Sequence, residues 1–118
     1  MKVLVWVGVA LLGGVGALLR FALDGVVAER AGSEFPWGTF AVNASGSFAL
    51  GLVAGATLQG DALLLAGTAV LGSYTTFSTW MLEAHRLGED GELGLALLNV
   101  AASLVVGVGA AAFGRLIA

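Results

Sequence analysis

Cysteine is absent from the 118 residues, which removes disulfides, thiolate metal sites and cysteine nucleophiles together. Charge is scarce, at 11% of residues, where a soluble domain carries roughly a quarter. The net charge of −3 offers no signal for nucleic acid. Histidine occurs once, as His85 in a charged loop, without the companions that a metal site needs. No nucleophile–base pair is visible, so an enzyme is the weakest reading. Proline also occurs once, at Pro36, where it suits the first turn of a helix.

What fills the chain instead is apolar. Hydrophobic residues make up 58%, and the mean hydropathy is +0.98. A chain this short cannot hide that much apolar surface in water; lipid is the solvent that fits. The 19 glycines agree, because small residues let helix backbones approach closely in a bilayer. In a soluble helix each would cost about 1 kcal/mol relative to Ala.

Four apolar stretches, each near the roughly 20 residues needed to cross a bilayer, predict spans over residues 3–23, 37–58, 62–81 and 93–117. They predict an all-α integral membrane protein with a single four-helix transmembrane domain. Charges gather between the spans, with Asp24, Glu29, Arg30 and Glu34 in the first loop and Asp61 in the second. Glu83, His85, Arg86, Glu89, Asp90 and Glu92 mark the third. The first stretch is too long for a signal core and lacks a small-x-small cleavage site, so it reads as a span. Basic residues divide almost evenly: Lys2 and Arg115 on one side, Arg20, Arg30 and Arg86 on the other. That balance permits insertion in either orientation, hence dual topology and antiparallel pairing.

Polar groups inside a span need a partner or a purpose. In the second span Thr39, Asn43, Ser47, Gly51 and Gly55 recur every four residues on one winding face. Gly51 and Gly55 read as helix packing, whereas the Asn43 amide brings two strong donors to a central depth. The fourth span repeats the spacing with Asn99, Ser103, Gly107 and Ala111. Taken alone, Ser103 and Asn99 read as local hydrogen bonding, with the hydroxyl returning to the Asn99 carbonyl. The third span is the oddest, because Gly72-Ser73-Tyr74-Thr75-Thr76-Phe77-Ser78-Thr79-Trp80 is too polar to face lipid. Glycine and adjacent threonines weaken a helix, so the third helix is predicted to break mid-span near Gly72 to Thr76. Arg20 and Glu83 close the first and third spans, as interfacial anchors or as vestibule residues.

Three segments together resemble the Fluc (CrcB) fluoride channels. They are Gly13-Gly14-x-Gly16-Ala17-x-x-Arg20, then Pro36-x-Gly38-Thr39-x-x-Val42-Asn43-x-x-Gly46-Ser47-Phe48, then Gly72-x-Tyr74-Thr75-Thr76-Phe77-Ser78-Thr79 with Glu83. The resemblance implies a multi-pass cell-membrane channel that exports fluoride passively and lowers cytoplasmic fluoride. It implies an antiparallel homodimer with a structural sodium ion at the interface, held by the backbone carbonyls of Gly72 and Thr75. It implies a fluoride pore of Asn43, Phe77, Trp80 and Ser103, with Thr39 and Ser78 contributing hydroxyls, and a vestibule or gating role for Arg20 and Glu83. Two positions depart from the family pattern: Trp80 stands for a second Phe, adding an indole N–H, and Gly107 stands for a second hydroxyl.

Two other readings compete. A small proton-coupled multidrug exporter shares the length and dual topology, yet needs a carboxylate in the first helix, and residues 3–23 contain none. A non-conducting membrane assembly subunit would use the Thr-rich run only as a packing kink.

Overall fold

The structure, a computed structural model, describes residues 2–32, 34–56 and 59–118. Among them the regular structure is entirely helical, in four arms. The first is α1 (Val3–Ala31) and the second α2 (Trp37–Gly55). The third begins with α3 (Gly60–Leu63), passes through a π-helical segment (Leu64–Leu71) into α4 (Gly72–Tyr74), and resumes as α5 (Ser78–Glu89). The fourth is α6 (Leu93–Ile117).

The fourth arm has the limits its apolar run predicts, whereas α1 continues eight residues past Leu23. Nothing between Asp24 and Ala31 breaks a helix, and the chain turns only at Gly32, whose φ of 89° suits glycine. At 29 residues α1 is roughly 43 Å long, enough to carry Glu29 and Arg30 beyond a hydrocarbon layer of about 30 Å. For the same reason α5 runs on through Glu83, His85 and Arg86 to Glu89, and the turn comes at Gly91, φ 79°. On that extension His85 Nε2 and Glu89 Oε1 stand 3.1 Å apart on the surface. The second arm ends at Gly55; the predicted end at Leu58, with Thr57, lies outside the described residues.

Two single helices, α1 and α6, are long and apolar enough to cross a membrane. α2 dilutes its apolar residues with Thr39, Asn43, Ser45 and Ser47, and the third arm is divided among shorter pieces. The molecule extends 50 Å along its longest axis, and large apolar side chains line its outside, with Leu18 and Val108 each 69% exposed and Val105 72%. In water such a surface would drive association.

Packing between arms depends on small residues. A Cβ on Gly51 would meet the backbone carbonyl of Ala111, and one on Gly114 would meet that of Phe48. Backbone therefore touches backbone where α2 crosses α6, a contact that dispersion between small residues stabilises in lipid. Phe48 and Phe113 stack across the same interface with centroids 5.9 Å apart.

Candidate functional site

The helix α4 of the third arm ends at Tyr74, with the Thr75 N–H still bonded to the Leu71 carbonyl at 3.0 Å. Thr75 is extended, with φ −80° and ψ 160°, and α5 begins at Ser78. A backbone interruption inside apolar protein needs partners for its peptide groups, and Asn43 on α2 supplies them. Its Nδ2 donates to the Thr76 carbonyl at 2.8 Å, and its Oδ1 accepts the Thr76 N–H at 2.8 Å. The amide therefore grips both backbone groups of one residue and retains one N–H for other use. The absence of a side chain at Gly46 permits the approach, since a Cβ there would run into the Thr75 methyl.

The next turn is capped from within. The Thr76 hydroxyl, one residue ahead of the N-cap Phe77, accepts the Thr79 N–H at 3.2 Å and so satisfies a first-turn amide of α5. These two bonds divert the amides that a continuous helix would aim at the carbonyls of Gly72 and Thr75. Among the described residues neither carbonyl regains a helical donor. The Thr75 hydroxyl itself turns back to the Leu71 carbonyl at 3.0 Å. Two carbonyl oxygens left without amide partners are hard ligands of the kind that suits an alkali cation.

An open cleft of about 460 Å³ runs beside the interruption, between α2, the third arm and α6. Asn43, Gly72, Thr75, Phe77, Trp80 and Ser103 all reach its wall. So do Ser47 and Thr76, while Leu50, Leu71, Leu104 and Val108 supply the apolar remainder. Among the described residues no ionisable side chain lines it. Phe77 is 69% exposed, and its ring meets Trp80 edge to face at 5.7 Å and 85°.

Thr39 and Ser78 lie elsewhere. Thr39 is buried and lines a second cavity of about 140 Å³ with Arg20, Asp24, Val42, Thr76 and Thr79. Its hydroxyl lies against the Glu83 carboxylate, with Asp24 and Arg86 nearby. Arg20 Nε and Glu83 Oε1 are buried and make no hydrogen bond among the described residues; Arg20 and Asp24 line this cavity, and Glu83 neighbours it through Thr39. Ser78 is exposed and lines neither cavity. Thr76 belongs to both linings, which places the Asn43–Thr76 pair between the uncharged cleft and the charged cavity.

The indole N–H of Trp80 donates to the Asn99 carbonyl at 3.3 Å. One expectation about polar groups is corrected. The Ser103 hydroxyl turns to the Asn99 side-chain oxygen at 3.5 Å, not to its backbone carbonyl. Asn99, 1% exposed, thus matters more to this region than its spacing suggested. The sequence signal for Thr76 was its position three residues ahead of Thr79, the spacing of a hydroxyl cap.

A bundle helical throughout its described regular structure, with apolar outer faces and a cleft that sets a few uncharged polar groups among apolar ones, is that of a small helical membrane protein. The chain belongs to the CrcB family: the family model described as "CrcB-like protein, Camphor Resistance (CrcB)" matches residues 7–115. The chain is 60% identical to "Fluoride-specific ion channel FluC 2" of Mycolicibacterium paratuberculosis, over 94% of this chain and 90% of that protein. It is 52% identical to the protein of the same name in Mycobacterium tuberculosis, over 100% of this chain and 94% of the relative. A third relative, "Fluoride-specific ion channel FluC 2" of Haloarcula marismortui, is 47% identical over 84% of this chain and 83% of its own.

Proposed function

We propose that this chain is a fluoride-selective ion channel that lets fluoride leave the cell passively as a multi-pass protein of the cell membrane. One observation carries the reading: the cleft gathers uncharged polar groups and aromatic rings with no ionisable side chain among the described residues. The identity of 52–60% to fluoride-specific channels over nearly the whole chain supports it.

Fluoride is small and holds its water tightly, so a pore must replace that water with strong donors. The remaining Asn43 N–H and the Thr76 hydroxyl can do so without a fixed positive charge that would trap the ion, while Ser103 lines the wall with its proton given to Asn99 Oδ1. Phe77 offers the positive edge of its ring to an anion. Trp80 offers carbon edges only, because its N–H is used elsewhere. Thr39, Arg20 and Glu83 form a vestibule beyond Thr76, where the guanidinium attracts anions and the carboxylate limits how long they stay. Ser78, exposed at the start of α5, contributes a hydroxyl at the mouth.

The active form is an antiparallel homodimer of dual topology, and the near-even distribution of basic residues supports either insertion. The interruption of the third arm lies mid-span and supplies the dimer's sodium site. Gly72 and Thr75 offer their carbonyls, and the two copies together would provide four such oxygens. When bound, sodium would raise the local potential for anions and tie the copies together.

Fluoride and chloride efflux from proteoliposomes of the purified protein tests the reading. Rapid fluoride efflux with negligible chloride efflux is expected. Equal rates for both, or none for fluoride, would refute it.

A further inference from the structure

We propose that Asn99 is a positioning residue for conduction, clasping Trp80 so that the second aromatic ring and the Ser103 hydroxyl hold fixed places on the cleft wall. The inference rests on the reading of Trp80 and Ser103 as pore-lining.

A tryptophan on such a wall raises a problem that phenylalanine does not. Its N–H must find an acceptor, and a ring whose N–H has none is free to turn in search of one. The fold solves this by reciprocity. The indole donates to the Asn99 carbonyl at 3.3 Å, and the Asn99 amide donates back to the Trp80 carbonyl at 3.4 Å. Ser103 Oγ then donates to the Asn99 side-chain oxygen at 3.5 Å. The Trp80 carbonyl also fixes which way the amide faces, since the opposite orientation would set oxygen against oxygen.

Each bond is long for its type, so the closed set of three, rather than any one member, holds the arrangement. Asn99 is itself 1% exposed and absent from the cleft lining. It acts on the cleft only through its neighbours. The clasp joins the first turn of α5 to α6, and its visible result is the edge-to-face setting of Trp80 against Phe77 at 85°.

Full-length Asn99→Leu, Trp80→Phe and the double variant, in proteoliposomes, test the clasp by fluoride efflux, with elution and melting checked in detergent. Asn99→Leu removes the amide's bond to the Trp80 carbonyl and the acceptor of Ser103 Oγ, while Trp80→Phe removes the indole's bond to the residue-99 carbonyl. Each single change should slow efflux on the order of tenfold, the scale of one buried hydrogen bond. The bonds are distinct but hold the same two residues, so the double variant should be slowed by less than the product of the singles. Fold-changes that multiply, or parental efflux in either single variant, would overturn the proposal. If Asn99→Leu fails to assemble, Trp80→Phe decides alone: slowed efflux supports the clasp and parental efflux overturns it. Phe77→Ile makes the failures distinguishable, since it breaks none of the three bonds. Undiminished efflux there overturns the pore reading and the clasp's role with it, whereas reduced efflux there with multiplying clasp variants overturns the clasp alone.

Discussion

Replacing Asn43 by Ala removes both bonds to the Thr76 peptide, each 2.8 Å long. A typical hydrogen bond contributes about 1 kcal/mol net. Both residues are half-buried beside an open cleft, so water can reach the freed groups and limit the loss to roughly that sum. About 2 kcal/mol corresponds to an increase of roughly 30-fold in opening of the Thr75–Phe77 segment. Hydrogen exchange at the Thr76 amide, followed by mass spectrometry on the detergent-solubilised protein, reads this directly. Asn43→Asp sharpens the comparison, because it keeps an acceptor for the Thr76 N–H while opposing the Thr76 carbonyl with a carboxylate oxygen. It should protect the amide better than Ala does and still conduct poorly, since the remaining donor is gone and a negative charge faces the cleft. Exchange in Asn43→Ala within about threefold of the parent, a difference under 1 kcal/mol, would refute the clamp.

Phe77→Ile removes an exposed aromatic edge while keeping apolar bulk. Fluoride efflux should fall at least about tenfold, the scale of one ring-edge contact, with elution and melting unchanged. Gly51→Ala pushes a methyl group into the Ala111 carbonyl and should destabilise the α2–α6 crossing by about 1–3 kcal/mol, measured by thermal unfolding in detergent. Thr76→Val deletes the cap on the Thr79 N–H and should cost about 1 kcal/mol; Thr76→Ser should restore parental stability in the same assay.

Four arms, their order and the uncharged donors inside them were legible in the residues, because apolar run length and scarcity of charge act locally. The limits of α6 follow from its run alone. The ends of α1 and α5 were not legible from hydropathy, since a helix stops where backbone conformation changes, at Gly32 and Gly91, not where polarity begins. Asn43, Phe77, Trp80 and Ser103 shared the right chemistry in sequence and share one cleft, but the separation of Thr39 from them did not show. Thr39 is on the same helical stripe as Asn43 and still lines the charged cavity.

The sequence by itself determined the solvent, the secondary structure and the kinds of donor this protein presents, since each depends on composition or on neighbours a few residues away. Only the tertiary structure decided where each donor points. A hydrogen bond is spent on whichever group lies within about 3 Å, and for Asn43, Trp80 and Ser103 that group was set by packing of α2, the third arm and α6.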